Sequence, residues 1–215
     1  MYNLQLVFTK RDRLKYISHL DLNRLFLRAL KRANLPIWYT EGFNPHMYIT
    51  FALPLALGYE SDCECVDFRL TEVMSAEDII QKLAPCLPEG IEIVSISEPK
   101  FKVKDIEFAE YEVILWGEKD PEQLSKLFSE FIAQPEIKVV KKGKKVNKII
   151  DIKPDVTVLS SETSQDGKGF LLWLKTPAGS VKNINPTLLT ESFAEFIGID
   201  WKLSKITRKK IIIKA

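Results

Sequence analysis

Apolar residues recur at two spacings along this chain, alternating in some stretches and stepping by three and four in others, and their order predicts a fold. Residues 2–9 (YNLQLVFT) alternate as a strand does. From residue 22 the step changes: Leu22, Leu25, Phe26, Ala29, Leu30 and Ala33 fall on one face of a helix. Ser18 reads as its N-cap, with Asp21 three residues on, and Asn34 and Pro36 close it. Ile37, Trp38 and Tyr39 begin a second strand, and residues 47–57 form an apolar stretch interrupted by Pro54. Residues 63–70 read as a strand, 75–86 as a helix and 91–96 as a strand.

Strand, helix, strand, strand, helix, strand is the ferredoxin-like βαββαβ order. Residues 99–105 (PKFKVKD) then read as a linker, and the order recurs beyond it. The second set comprises a strand at 107–116, a helix at 121–133, strands near 137–142 and 169–175, a helix at 186–197 and a strand at 202–213. The expectation is therefore α+β, two ferredoxin-like halves in tandem with antiparallel sheets. Residues 1–98 form the first domain and 106–215 the second, which carries a lysine-rich hairpin.

Composition narrows the class. Of 215 residues, 46% are hydrophobic and 28% charged, which is ordinary for a folded soluble protein. No apolar run approaches the ~18 residues of a membrane span, so a cytoplasmic protein that avoids membranes is expected. Cys63, Cys65 and Cys86 lack metal-site spacing; they read as reduced thiols, and no metal or cofactor is expected on this chain. Charge is uneven. Residues 1–58 hold eight basic and three acidic side chains, residues 59–97 two and nine, and residues 136–215 sixteen and eight. Such polarity suits binding a polyanion.

The candidate chemistry gathers in residues 16–46, which contain both histidines, His19 and His46. On the polar side of the first helix, Asp21, Arg24, Arg28, Lys31 and Arg32 share a stripe about 100° wide. Four cations at successive turns match repeated phosphates, and helix stability explains them poorly because none has an acidic i+4 partner. Lys10, Arg11, Arg13 and Lys15 extend that surface, and Lys141, Lys142, Lys144, Lys145 and Lys148 form a second basic run. His19, at the helix start, is a candidate general base with Asp21 or His46 to orient it; the alternative is a structural hydrogen bond to the loop of residues 42–46. Gly42, Phe43, Asn44 and Pro45 have turn chemistry. Phe43 is expected to plug the core rather than to stack on a base, and Glu41 to orient a histidine or a basic residue. No Gly-rich phosphate loop, GxSxG elbow, HExxH or EF-hand pattern is present, so a hydrolase or kinase of familiar type is unsupported.

The runs LKYISHLDL from Leu14, RALKRA from Arg28, EGFNPH from Glu41 and ALPLALGYES from Ala52 carry a resemblance. Together they resemble the radical-SAM-associated domain of unknown function, which occurs alone or C-terminal to B12-binding radical SAM proteins. Met47 departs from the family's usual second proline, and Tyr48 from a usual basic residue. This chain has no CxxxCxxC triplet to hold a radical SAM cluster. The resemblance implies a radical SAM enzyme as partner, itself carrying the iron-sulfur cluster and S-adenosylmethionine. With the basic patches, the expected function is a non-catalytic accessory protein that binds RNA, a tRNA or rRNA, or presents a substrate during RNA modification. The alternatives are a metal-independent RNA endonuclease using His19, with Asp21 and His46 beside it, and a protein adaptor without RNA affinity.

Overall fold

The computed structural model describes residues 1–141 and 147–214. The chain divides into two units, Met1–Asp105 and Ile106–Ala215. The described residues form an α+β protein with four α-helices and antiparallel strand pairing.

In the first unit β1 (Tyr2–Lys10), α1 (His19–Arg32), β2 (Ile49–Phe51), β3 (Glu60–Leu70), α2 (Ala76–Leu83) and β4 (Ile93–Ser97) follow the expected order. Strand order is β4-β1-β3-β2. Register sets Leu6 against Val66 and Ile96, so alternate side chains of β1 and β3 reach one face and meet the helices. Leu6, Phe8, Val66, Phe68 and Leu70 pack there with Leu22, Phe26 and Leu30 of α1 and with Ile79 and Leu83 of α2. Phe26 is the pin: its ring lies 4.6 Å from Phe8 and 5.5 Å from Phe51, centroid to centroid. Burying it contributes about 2–3 kcal/mol.

Both helices start on the same device. Ser18 accepts a hydrogen bond from the Asp21 amide and Ser75 one from the Asp78 amide, while each serine hydroxyl donates to that aspartate's carboxylate. Asn34, at φ 49°, turns the chain out of α1.

The second strand is not where residues 37–39 suggested. Those residues make isolated bridges, Ile37 to Leu70 and Tyr39 to Met47, and Ile49–Phe51 takes the pairing edge of β3 at Val66 to Phe68. A strand needs a free edge, and only the tip of β3 remains for Ile37.

The second unit contains β5 (Ile106–Trp116), α3 (Pro121–Ala133), β6 (Lys138–Lys141), β7 (Lys148–Asp151), β8 (Thr157–Thr163), β9 (Phe170–Pro177), α4 (Pro186–Ile197) and β10 (Leu203–Ile213). Within this unit β10, β5, β9 and β8 pair in that order. Here too the last strand lies beside the first and the first beside the third. Phe128, Phe131, Phe170 and Phe193 form an aromatic core under α3 and α4. The strand expected near 137–142 exists as β6, but among the described residues it pairs with β7 alone in a separate ribbon, and β8 takes the position beside β9.

Candidate functional site

The polar face of α1 lines a groove. Leu22, Phe26, Ala29 and Leu30 anchor the helix to the sheet, which leaves Arg24, Arg28, Lys31 and Arg32 facing away. Across from them runs the segment 85–88, with Pro85, Leu87 and Pro88, and the space between is about 710 Å³. Leu25 adds apolar surface on the helix side. The result is a cationic wall beside an apolar one, a combination that fits a ligand both anionic and flat.

The four cations are not equivalent. Arg32 donates to the Cys86 carbonyl and so ties α1 to the opposite wall. Arg24 meets Asp21 at 3.4 Å, an exposed pair of small energetic weight. Arg28 and Lys31 are exposed and meet no acid among the described residues. Asp21 sits at the groove's N-terminal end. The Ser18 hydroxyl, and after it Arg24, hold its carboxyl below the ordinary range, so it stays anionic.

The basic surface does not extend through Lys10. That residue is 2% exposed, and its ammonium reaches the Ile17 carbonyl at 3.4 Å. The cause is strand alternation: β1 runs on to Lys10, which shares the face of Leu6 and Phe8, while the register shift opposite it places an extra residue in β3, where Glu64 to Ser61 spans the stretch from Phe8 to Lys10. Arg11 is committed to Asp62, with Nε and Nη2 at 3.0 and 2.9 Å from one carboxylate oxygen. Lys15 pairs with Glu60 at 3.6 Å and lies over the Tyr16 ring. Arg13 is exposed. In the second unit, Lys141 donates to the Asn183 carbonyl at 2.7 Å. Lys142, Lys144 and Lys145 lie outside the described residues.

The two histidines share no hydrogen bond. His19 is exposed at the first position of α1, where its ring meets the edge of Phe51 at 5.3 Å. Asp21 is engaged by Ser18 and Arg24 rather than by His19. His46 closes its own loop: the Thr40 amide donates to the His46 carbonyl at 2.8 Å, and the His46 amide donates to Thr40 Oγ1 at 3.1 Å. His46 Nδ1 lies 3.1 Å from the Asn44 carbonyl and 3.0 Å from Thr40 Oγ1. A carbonyl only accepts, so in the neutral ring Nδ1 carries the proton and Nε2 is left as an acceptor. Glu41 is exposed and orients no histidine or base among the described residues.

Phe43 is a correction. It does not plug the core; its side chain is fully exposed at the loop tip. Gly42, at φ +124°, and the Thr40–His46 clasp turn the chain before the ring can reach the interior.

One group escaped sequence reading altogether. Arg69, on the outward face of β3, lies 4.0 Å from the Tyr48 ring centroid and 5.3 Å from that of Trp38. Its Nε is buried with no acceptor. Only strand register brings Trp38 and Tyr48 to it, through the Trp38 amide donating to the Arg69 carbonyl and the Tyr48 amide to the Trp38 carbonyl.

Two absences hold among the described residues. No cluster of three His, Cys, Asp or Glu side chains is placed to hold a metal, and no helix is long and apolar enough to cross a membrane. The three cysteines are free thiols.

The profile of one family, described as an uncharacterized protein conserved in bacteria (DUF2344), matches residues 3–186. No curated protein matches the chain. Among solved structures, a chain from the crystal structure of a Cbf5-Nop10-Gar1 complex is similar at 12% identity and a TM-score of 0.50. The alignment covers 97% of this chain and 48% of that one, so this chain spans about half the length of that relative, and the likeness is one of fold. An unknown protein from Galdieria sulphuraria aligns at 11% identity over 99% of both chains, with a TM-score of 0.29.

Proposed function

Given that the chain belongs to the uncharacterized bacterial family DUF2344, we propose that it is a non-catalytic RNA-binding accessory protein whose binding surface is the α1 groove. The observation that carries this reading is the wall of Arg24, Arg28 and Lys31 facing an apolar wall across about 710 Å³. Arg28 and Lys31 meet no acid among the described residues to neutralise them, so the groove keeps its positive potential. Arg24 and Arg28 stand about 6 Å apart along the helix axis and Arg28 and Lys31 about 4.5 Å, steps of the same order as that between neighbouring phosphates of one strand. The apolar wall supplies the surface on which unpaired bases rest.

The partner in this reading is a radical SAM enzyme, which brings the iron-sulfur cluster and S-adenosylmethionine, and the RNA is a tRNA or rRNA awaiting modification. The motif runs EGFNPH and KYISHLDL support it through their resemblance to the radical-SAM-associated domain. The cytoplasm is the compartment that fits such work. His19, without a hydrogen-bonded carboxylate or second histidine, gives the nuclease reading no support.

Ultraviolet crosslinking of the tagged protein in cells, with RNA sequencing and mass spectrometry of one preparation, tests the proposal. Enrichment of a defined tRNA or rRNA segment together with a radical SAM enzyme is the expected result. A partner enzyme recovered without RNA overturns it in favour of a protein adaptor.

A further inference from the structure

We propose that the hairpin of residues 38–48, with Arg69 beneath it, is a second nucleotide-binding element that takes an unpaired, phosphate-bearing nucleotide of the same RNA. This inference rests on the RNA reading of the α1 groove and concerns a different surface of the same unit.

Arg69 is an unusual cation. β3 is rich in acids, with Glu60, Asp62, Glu64 and Asp67, yet no carboxylate or carbonyl meets the Arg69 guanidinium among the described residues. Two aromatic rings flank it instead, Tyr48 at 4.0 Å and Trp38 at 5.3 Å. Cation–π attraction offsets part of the cost of desolvating Nε and leaves the terminal N–H groups unclaimed. A guanidinium so held is a fork matched to two oxygens of one phosphate.

The rest of the hairpin supplies the other parts of a nucleotide site. At the tip, Phe43 presents its ring fully to solvent. The Thr40–His46 clasp closes the hairpin below that tip, and His46 Nε2 offers an acceptor suited to a base N–H. From Trp38 to Phe43, five extended residues span at most about 17 Å, so phosphate and stacking contacts fit neighbouring nucleotides of one strand. The residues flanking Phe43 are Glu41, Gly42, Asn44 and Pro45, all exposed. With Glu41, Gly42 and Asn44 around it and Pro45 the one apolar neighbour in that run, the ring suits stacking on a base rather than insertion into a protein pocket.

The test uses the full chain, a labelled single-stranded oligoribonucleotide of mixed sequence, and the blunt duplex of that sequence. Phe43→Ala is expected to weaken single-strand binding roughly tenfold and to leave duplex binding unchanged. Arg69→Lys keeps the charge but loses the fork; single-strand affinity is expected to fall several-fold with the salt dependence unaltered. Phe43 is fully exposed, so its variant cannot lose RNA through misfolding, and a thermal melt verifies Arg69→Lys. Wild type that binds neither RNA removes the α1 reading and this one with it. Wild type that binds while both variants match it overturns the hairpin alone. Equal losses on single strand and duplex overturn the requirement for an unpaired nucleotide, and a variant that loses a protein partner but keeps RNA makes the hairpin a protein contact.

Discussion

Replacing Arg24, Arg28 and Lys31 together by Gln should change the salt dependence of RNA binding by a calculable amount. The structure selects these three. Lys10 is left alone because it is buried, and Arg32 because its guanidinium braces the Cys86 carbonyl, so its loss would move a wall as well as remove a charge. Each phosphate neutralised on a single strand contributes about 0.7 to the slope of log affinity against log salt. Three cations therefore account for a slope of about 2, and a fourfold rise in salt should weaken wild type about 16-fold more than the variant. Gln keeps helix propensity, and the replaced side chains are exposed, so α1 should remain folded by circular dichroism. Fluorescence anisotropy of a labelled single-stranded RNA across a salt series reads the slope directly. If the variant binds more weakly but with the wild-type slope, the three cations do not touch phosphates and the groove is not the binding surface.

Three further variants test the physical account of the first unit, each read by chemical denaturation of the full chain. Ser18→Ala should cost about 1 kcal/mol by removing the N-cap of α1. Asp21 has its carboxyl lowered chiefly by the Ser18 hydroxyl, so its contribution is present above the unfolded value of about 3.9 and lost as pH falls through the lower folded one. Stability of Ser18→Ala should accordingly depend less on pH in that acid range, and an undiminished dependence would contradict the assignment. Asp67 runs the other way: burial pushes its carboxyl up, so its contribution is full below the unfolded value and lost as pH rises through the folded one. Asp67→Asn keeps an acceptor for Gln5 Nε2, now 3.0 Å from Oδ1, and should raise the unfolding midpoint at pH 7; a lower midpoint would refute the burial argument. Gly90→Ala should destabilise by about 1–3 kcal/mol, because φ is +90° and an added Cβ would stand 2.8 Å from the Arg11 carbonyl oxygen; an unchanged midpoint would show that this turn relaxes freely.

Local signals were legible in the sequence and register was not. The period of Leu22 through Leu30 and the Ser18 cap placed α1 almost to the residue, and the same logic located α3, α4, β5 and β10. β2 was missed because Ile37, Trp38 and Tyr39 look more strand-like than Ile49–Phe51, yet it is the later segment that pairs with β3 at Val66 to Phe68. β8 was missed because TVLSSET carries little apolar alternation. Within the site, the cationic stripe follows from helix geometry alone. Lys10 is buried because β1 runs one residue past its expected end and alternation sets it on the face of Leu6 and Phe8; the Arg69 stack depends on which residues face each other across strands, which is not written locally. Phe43 was read from residue type, but the turn around it decides where the ring goes.

The distance in role between the two histidines has a spectroscopic consequence. The chain contains only His19 and His46, both exposed and without a hydrogen bond between them. Each imidazole is thus a separate nuclear magnetic resonance signal, one at the head of the groove helix and one in the hairpin clasp. Two single substitutions assign both signals. A titrated oligonucleotide that shifts one before the other then reveals which surface is engaged first, with no label attached to the protein.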